Sequence, residues 1–157
     1  MKWANVYQRG DRFYFVPLSK IKNAFRIETG PIWEVSTTEP MECIGRALRK
    51  AIEASRMDIA PPRDLMSNDN PLLKLAKVKS FATFAKGACL CSVQCSNGRI
   101  CIEPTRNGGG KEGFVGLADR SVAIQEDASD QTIGGMITDA FLVSRAASTG
   151  NAGDRKH

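Results

Sequence analysis

The chain has 157 residues, a net charge of +5, five cysteines and one histidine, which is the last residue, His157. This length suits one domain. Without an apolar run of about 18 residues, or a signal-peptide core in the N-terminal MKWANVYQRGD, we predict neither a membrane-spanning helix nor export. An odd cysteine count outside any scaffold pattern predicts free thiols in the cytoplasm, and a single terminal histidine argues against Ser/His, Cys/His and histidine–metal chemistry.

The first part of the chain is predicted to form strands. Trp3 to Gln8 alternates apolar and polar residues, Gly10-Asp11 is a turn signal, and Arg12 to Leu18 is rich in aromatic and β-branched residues. These two segments therefore predict a hairpin. Phe25 to Val35 predicts a third strand that is bent at Gly30-Pro31.

A helix is predicted next, with Thr38 as the capping hydroxyl and Pro40 in the first turn. One face carries the apolar stripe that would pack on the sheet: Met41, Ile44, Leu48, Ala51, Ile52 and Ser55. The outer face is charged and carries Arg46, Arg49, Lys50 and Glu53. A basic outer face of this kind predicts exposure to solvent more often than binding to nucleic acid.

The middle of the chain predicts a loop and two short helices. Met57 to Asn70 contains Pro61-Pro62 and polar residues, which favour a surface loop. Leu72 to Lys77 is a short helical segment. Ser80 is predicted to cap a second one, FATFAK, which Gly87 ends; its two phenylalanines, Phe81 and Phe84, are predicted to be core residues at positions i and i+3.

A second hairpin is predicted around Asn97-Gly98, because a type I′ turn needs positive φ at both central residues. This turn pairs Ser96 with Arg99 and Val93 with Ile102. Because side chains alternate along a strand, one sheet face is predicted to be apolar, with Cys89, Cys91, Val93, Cys95, Ile100 and Ile102. The other face takes Leu90, Ser92, Gln94 and Cys101.

The hairpin holds four of the five cysteines, a spacing that invites a zinc interpretation. A tetrahedral zinc site needs four ligands that converge on one point, whereas these cysteines lie along extended strands and Cys101 points to the other face. Cys89 and Cys91 are also about 7 Å apart in a strand, too far for a disulfide. We therefore predict free thiols and no metal.

Gly108, Gly110 and Gly113 spell a G-x-G-x-x-G pattern after the second hairpin. A dinucleotide site needs a helix to open at these glycines, and a Walker loop needs Ser or Thr after the lysine, whereas Lys111 is followed by Glu112. The pattern therefore predicts a turned connector from Arg106 to Phe114, and no cofactor or small-molecule substrate is expected.

The C-terminal part predicts one more strand, Ser121 to Gln125, and a helix capped by Ser129. The inward stripe of that helix is Ile133, Ile137, Ala140, Phe141 and Ser144, while Gly134-Gly135 are expected to weaken it by about 1 kcal/mol each. The predicted fold is α+β: an antiparallel sheet of about five to six strands, with the Met41–Ser55 and Ile133–Ser144 helices packed on one face. Residues 1–146 form one domain, and 147–157 form a flexible tail.

Several phrases, taken together, resemble one protein family. They are PLSKIKNAFRIETGPIWEVS (Pro17–Ser36), AIEASR (Ala51–Arg56), LLKLAKVKSFATFAKGA (Leu72–Ala88) and TRNGGGKEGF (Thr105–Phe114), within a span from about Val6 to Arg145. This order of phrases is similar to that of the immunity proteins of contact-dependent growth inhibition systems of Gram-negative bacteria. The resemblance implies a cytoplasmic, non-enzymatic protein that binds and neutralises the C-terminal toxin domain of a large exported effector.

The net positive charge departs from what this resemblance implies. Many such toxins are nucleases with basic active sites, and their inhibitors are usually acidic. Three explanations stay open: the toxin is not a nuclease, binding avoids its active site, or the acid-rich stretch Glu126, Asp127 and Asp130 forms a local patch.

The contact face is predicted from two charged regions. One is the connector, with Arg106, Asn107, Lys111 and Glu112, because binding groups often sit on loops held by a rigid hairpin. The other is the outer face of the first helix, with Arg46, Arg49, Lys50 and Glu53. The less covered sheet face, with Leu90, Ser92, Gln94 and Cys101, lies beside the connector.

Two other functional classes compete with toxin binding. A small basic nucleic-acid-binding module would use Lys74, Lys77, Lys79 and Lys86, with Phe81 and Phe84 as stacking aromatics. A small hydrolase would pair Glu112 with a cysteine. We favour the toxin-binding interpretation because neither rival has further support in the pattern of residues.

Overall fold

The computed structural model describes residues 1–61 and 70–154, with side chains up to residue 148. In this part of the chain, eight strands form one antiparallel sheet between two helical layers. The strands are β1 (Lys2–Arg9), β2 (Arg12–Lys20), β3 (Arg26–Glu28), β4 (Trp33–Ser36), β5 (Ala88–Ser96), β6 (Arg99–Asn107), β7 (Phe114–Gly116) and β8 (Val122–Gln125). The α+β prediction is confirmed, and six of these strands form the continuous path β3-β2-β1-β5-β6-β7.

Both predicted hairpins form, and the second has the predicted register. Ser96 pairs with Arg99 and Val93 with Ile102. Asn97 and Gly98 have φ values of 53° and 75°, as a type I′ turn requires. The central strand pair is β1 with β5, which joins the two hairpins antiparallel.

The predicted single strand from Phe25 to Val35 is two short strands instead. β3 pairs with the end of β2 at Leu18–Lys20, and β4 pairs with its beginning at Arg12–Phe15. The ladder breaks between them because proline has no N–H to donate at Pro31. At the other edge, β7 and β8 divide β6 in the same way.

Two long helices cover the first face of the sheet, as predicted: α1 (Met41–Ala54) and α5 (Asp130–Asp154). The largest fully buried side chains between these helices and the sheet are Val6, Phe15, Ile44, Leu48, Ile100, Ile102, Ile133, Ile137 and Phe141. The apolar stripes predicted for both helices therefore face the main core, together with the cysteine-bearing face of the second hairpin. Met41 is the exception: it lies in the first turn of α1 and is 38% exposed, so its predicted place in the stripe is wrong.

The predicted capping of α1 by Thr38 is wrong. The Thr38 hydroxyl is 2.8 Å from the Ser36 hydroxyl, and Pro40, in extended conformation, precedes the first helical residue, Met41. Glu39 precedes the proline and therefore avoids the helical region. Pro40 is the N-cap residue and not part of the first turn as predicted, so the helix begins at Met41. Ser129 does cap α5, since its hydroxyl accepts a hydrogen bond from the Thr132 N–H at 3.1 Å.

α1 and α5 cross at two glycines. A methyl group on Gly134 would overlap the carbonyl oxygen of Met41, and one on Gly45 would overlap the carbonyl oxygen of Asp130. The expected weakening of α5 by Gly134 stays a prediction, and the structure gives this glycine a second role, because its missing side chain lets the two backbones touch. Gly135 has open space around it.

The second face of the sheet is half covered by two short helices, α2 (Pro71–Ala76) and α3 (Phe81–Lys86). They bury a second apolar cluster: Tyr7, Tyr14, Val16, Leu72, Leu73, Phe84, Ala88 and Leu90. The predicted cap of α3 is confirmed, because the Ser80 hydroxyl accepts a hydrogen bond from the Thr83 N–H. Most of the predicted Met57–Asn70 loop, residues 62–69, lies outside the described residues.

α5 continues to Asp154, ten residues beyond the stripe that predicted it, since the alanines after Arg145 are good helix formers. The predicted tail, 147–157, thus begins inside the helix, and residues 155–157 lie outside the described part. We predict from its lack of apolar periodicity that deletion of residues 147–157 barely alters stability; a large drop in melting temperature would contradict this. Of the described helices, none has the length and apolar composition to cross a membrane.

Candidate partner-binding surfaces

The predicted α1 surface is partly occupied by internal contacts. Arg49 Nε lies 2.7 Å from Asp130 Oδ1, and Arg49 Nη1 donates a hydrogen bond of 2.7 Å to the carbonyl oxygen of Glu126. Its other terminal nitrogen donates to the carbonyl oxygen of Ala128. Arg49 thus holds the turn before α5 against α1, so its guanidinium is committed to the fold.

The other three predicted α1 residues are open to solvent. Arg46 pairs with Glu42 at 2.7 Å one helical turn away, and its Nε stands 3.9 Å from Asp130 Oδ2. Lys50 and Glu53 are exposed. These residues remain free to meet a partner, and ion pairs as exposed as Arg46–Glu42 hold the side chain only weakly.

Replacing Arg49 with alanine is expected to lower the free energy of unfolding by about 1.5–3 kcal/mol, because hydrogen bonds to a charged group are lost and Asp130 keeps only a distant cation. Urea unfolding followed by circular dichroism measures this. Lys50→Ala is the matched control and should stay within about 0.5 kcal/mol of wild type. Equal stability of the two variants would show that Arg49 is not a structural link.

The acid-rich stretch does not form an uncompensated patch. Asp130 lies between Arg49 and Arg46, so its carboxylate is neutralised locally. Glu126 lies beside Cys95, where burial and then the Glu126 charge raise the pKa of the thiol. Only Glu126 and Asp127 remain as exposed acids there, which weakens the explanation that this stretch gives the protein an acidic binding face.

The predicted connector from Arg106 to Phe114 is more ordered than a loop. β6 continues through Asn107, residues Gly109–Glu112 form a short helix, α4, and β7 begins at Phe114. Arg106 Nη2 and Glu112 Oε2 are 2.7 Å apart, and this ion pair closes the turn. Lys111 is exposed. Since Glu112 is already bound to Arg106, the geometry does not favour a hydrolytic role with a cysteine.

Asn107 is a structural residue of this turn. Its Nδ2 group donates hydrogen bonds to the carbonyl oxygens of Ala85 at 2.8 Å and Ala88 at 2.9 Å, and its Oδ1 atom accepts one from the Gly109 N–H. Its own N–H donates to the Ser148 hydroxyl. One side chain therefore joins α3, β5 and α4, and no donor of this amide is left for a partner.

The predicted less covered sheet face is correct for three residues and wrong for Leu90. Leu90 lies under the short helices and is 8% exposed. Ser92, Gln94 and Cys101 line an open cavity of about 500 Å³ that also includes Trp3. Leu90 is buried because α2 and α3 cover the half of this face to which the aromatic side chains of β1 and β2 point. The other half stays open.

Polar contacts fix the open half of this face. Glu28 Oε2 accepts hydrogen bonds from the Tyr7 hydroxyl at 2.6 Å and from Asn5 Nδ2 at 2.9 Å. Burial, and then the Glu28 charge, raise the pKa of Tyr7 well above its usual range, so the hydroxyl stays protonated. Arg26 stacks with its guanidinium carbon 4.9 Å from the Trp3 ring centre. Glu28 is therefore held by two neutral donors and Arg26 by an aromatic ring.

The two phenylalanines of the short helix α3 differ in burial. Of the two phenylalanines of α3, Phe84 is fully buried whereas Phe81 is 41% exposed, so the prediction that both are core is wrong for Phe81. α3 has only six residues and covers little of the sheet. Phe81, its first residue, lies at the margin of the covered area. Beside Phe81 opens a cavity of about 980 Å³ that is also lined by Lys86, Phe114 and Arg145. Sequence alone does not separate these phenylalanines, since i and i+3 share one helix face.

The cysteines follow the predicted register. Cys91 and Cys95 are buried in the main core, Cys89 is half-buried beside it, and Cys101 is exposed on the other face. Burial raises the pKa of the Cys91 thiol far above its usual range. No group of three potential metal ligands occurs among the described residues.

Native protein should react with a thiol reagent first at Cys101, and at Cys91 only after unfolding, because a buried thiol with a raised pKa forms almost no thiolate at neutral pH. In denaturant all five thiols should titrate. Mass spectrometry after timed labelling measures the order. Modification of Cys91 as fast as Cys101 in native protein would contradict the register of the second hairpin.

A comparison with protein-family models gives one match that covers nearly the whole chain. The family model described as CdiI, CDI immunity protein, matches residues 2–144. No curated protein has a sequence that matches the chain.

Two solved structures share the fold. One is a protein of unknown function from Neisseria meningitidis, with a TM-score of 0.71, 16% identity, and coverage of 88% of this chain and 92% of that chain. The other is the CdiA-CT/CdiI toxin and immunity complex from Yersinia pseudotuberculosis, with a TM-score of 0.66, 20% identity, and coverage of 93% and 96%.

Proposed function

This chain belongs to the family of CDI immunity proteins, and we propose that it binds and neutralises the C-terminal toxin domain of a contact-dependent growth inhibition effector. The observation that carries the proposal is the family match across residues 2–144, which spans both hairpins, α1 and most of α5. The structural likeness to a toxin and immunity complex supports it.

We propose that neutralisation is by binding, without catalysis. Two of the groups that a hydrolytic site would need are unsuited to it, since Cys91 is buried with a raised pKa and Glu112 of α4 is paired with Arg106. An inhibitor needs only a stable fold and a complementary surface. We also place it in the cytoplasm, where free thiols such as the exposed Cys101 stay reduced.

Protection of living cells tests the proposal. A toxin domain taken from the effector encoded beside this chain is expressed under an inducible promoter, with and without the chain. Growth is expected to continue only with the chain, and the two proteins are expected to co-purify. A toxin domain from an unrelated effector is the control and should kill in both cases. Death despite equal expression of the chain would contradict the proposed function.

The exposed members of the contact face proposed from the sequence are Arg46, Lys50, Glu53, Lys111 and Glu112. They lie on two sides of the molecule, because α1 covers the first sheet face whereas α4 packs beside α3 on the second. A single compact interface would use one side. The connector side also carries an exposed aromatic residue, Phe81, and is therefore the better placed of the two.

Lys111→Glu is expected to lower the association rate with the toxin domain about threefold at low salt, and less at high salt, because exposed charges at an interface act mainly on encounter. Surface plasmon resonance across a salt series measures this. Lys50→Glu, on the α1 side, is the matched control. Loss of rate only in the Lys50 variant would place the contact on α1.

A further inference from the structure

The charge of this chain is concentrated in one segment. Residues 71–87 contain Lys74, Lys77, Lys79 and Lys86 and no acidic residue, so they hold four of the five excess positive charges. This segment is the helical layer on the second sheet face, α2 and α3 with the residues that join them. The remainder of the chain is close to neutral.

Three of these lysines are available to a partner. Lys77 ends α2, Lys79 precedes the cap of α3, and Lys86 is the last residue of α3; all three are exposed. Their ammonium groups form no ion pair with any residue in the described part of the chain. Since α3 has only six residues, Lys79 and Lys86 stand roughly 10 Å apart along it, close to one Debye length, so their fields add.

Some cations elsewhere on the described surface have acidic partners. Arg46 pairs with Glu42, Arg49 with Asp130, and Arg106 with Glu112. The segment from Pro71 to Gly87 differs from these in its composition, because it holds four lysines and no acidic residue. Lys77, Lys79 and Lys86 form no ion pair with another described residue. Like charges held together cost free energy in the isolated protein, and an acidic partner would remove that cost.

An apolar anchor lies within the same surface. The Phe81 ring makes edge contacts with Tyr7 at 6.3 Å and a tilted contact with Phe84 at 6.0 Å, measured between ring centres. One side of the ring is thus fixed while 41% of the residue is exposed. Leu75 of α2 is 40% exposed. A rigid, half-exposed aromatic ring within a polar rim is the usual form of an interface hot spot, because little side-chain entropy is lost on binding.

We propose that this surface, the basic patch of Leu75, Lys77, Lys79, Phe81 and Lys86, docks an acidic face of the toxin domain. The proposal rests on the proposed function and names the chemistry of the partner. It also accounts for the basic character of this inhibitor. A cationic surface repels a basic, phosphate-binding active site, so if the toxin is a nuclease, the patch engages it outside that site.

The test reverses the patch charges and a matched set elsewhere. Lys77, Lys79 and Lys86 are changed together to glutamate; the control changes Lys22, Arg56 and Arg120, which are also exposed, to glutamate. Association with the toxin domain is measured at 20 and 300 mM salt. The patch variant should associate about tenfold more slowly at low salt and lose most of its salt dependence, whereas the control should change about twofold or less.

A second pair of variants guards against a folding artefact. Changing the same three lysines to glutamine removes repulsion without adding charge, and should give a smaller loss of rate in the same direction. Phe81→Ala should raise the dissociation rate about tenfold while thermal unfolding stays cooperative. Circular dichroism melts of all variants accompany the binding data.

The outcomes separate the two proposals. Wild type that binds no toxin domain would overturn both the proposed function and the patch. Wild type that binds, with equal rates for the patch and control variants, would overturn the patch alone. Wild type that also binds a single-stranded oligonucleotide, with loss of that binding but unchanged toxin binding in the patch variant, would assign the patch to nucleic acid and overturn it as a toxin-docking surface.

Discussion

Gly134→Ala is expected to lower the free energy of unfolding by about 3 kcal/mol, at the upper end of the usual cost of overpacking. The added methyl group would overlap the carbonyl oxygen of Met41, and that atom belongs to the first turn of α1. Backbone cannot rotate away as a side chain can, so α1 and α5 would have to separate along the main core. Urea unfolding measures the loss.

Gly135→Ala is the matched control, one residue along the same helix. A methyl group there meets no atom within 4 Å. Alanine is a better helix former than glycine by about 0.8–1 kcal/mol, so this variant should be more stable than wild type. The two alanines should therefore have opposite signs. A loss of the same size in both would mean that helix propensity, not the contact between α1 and α5, decides the result.

Phe84→Ala is expected to cost about 3–4 kcal/mol, typical of a buried phenylalanine reduced to alanine. Phe84 is fully buried and packs edge-on against Tyr7 and Tyr14, with ring centres 5.3 and 5.8 Å away. Its removal takes the main anchor of α3 out of the second core. Thermal unfolding measures the loss. The rate at which the α3 amide protons exchange with solvent should also rise.

Phe81→Ala provides the contrast, since this ring is half-exposed and stands at the margin of the same cluster. Its loss should cost under about 1 kcal/mol, as for most surface substitutions. If both substitutions cost 3 kcal/mol, Phe81 is a core residue as the sequence pattern suggested. In that case it is not available as the anchor of the basic patch.

The predictable parts of this fold are those with strong local signals. The turn at Asn97-Gly98 fixes the register of β5 and β6, and with it the side of every hairpin cysteine. The stripe from Ile133 to Ser144 marks the buried side of α5. Both depend on residues that are close in sequence, where periodicity and turn chemistry determine the structure.

The parts that could not be predicted depend on residues far apart in sequence. Nothing local distinguishes Gly134 from Gly135, because only the approach of Met41, more than ninety positions away, gives the first its role. Arg49 belongs to a charged outer face by periodicity, and its bonds to the turn before α5 appear only in the fold. The same holds for Asn107, whose amide joins α3 and β5.

The candidate site follows the same rule. The sequence shows four lysines between Pro71 and Gly87 and predicts the two short helices that hold them. It does not show that these helices cover half of the second sheet face and leave Phe81 at the edge. The lysines and Phe81 form one surface only because the two helices pack on the sheet in this way.

The most direct test of the central claim mixes this chain with the toxin domain at micromolar concentrations. Size-exclusion chromatography with light scattering then measures the molar mass of each species that elutes. One-to-one binding with a dissociation constant well below the micromolar concentrations used predicts a single species with the summed mass of one copy of each. Two separate peaks with the masses of the individual proteins would contradict the claim that this chain neutralises the toxin by binding.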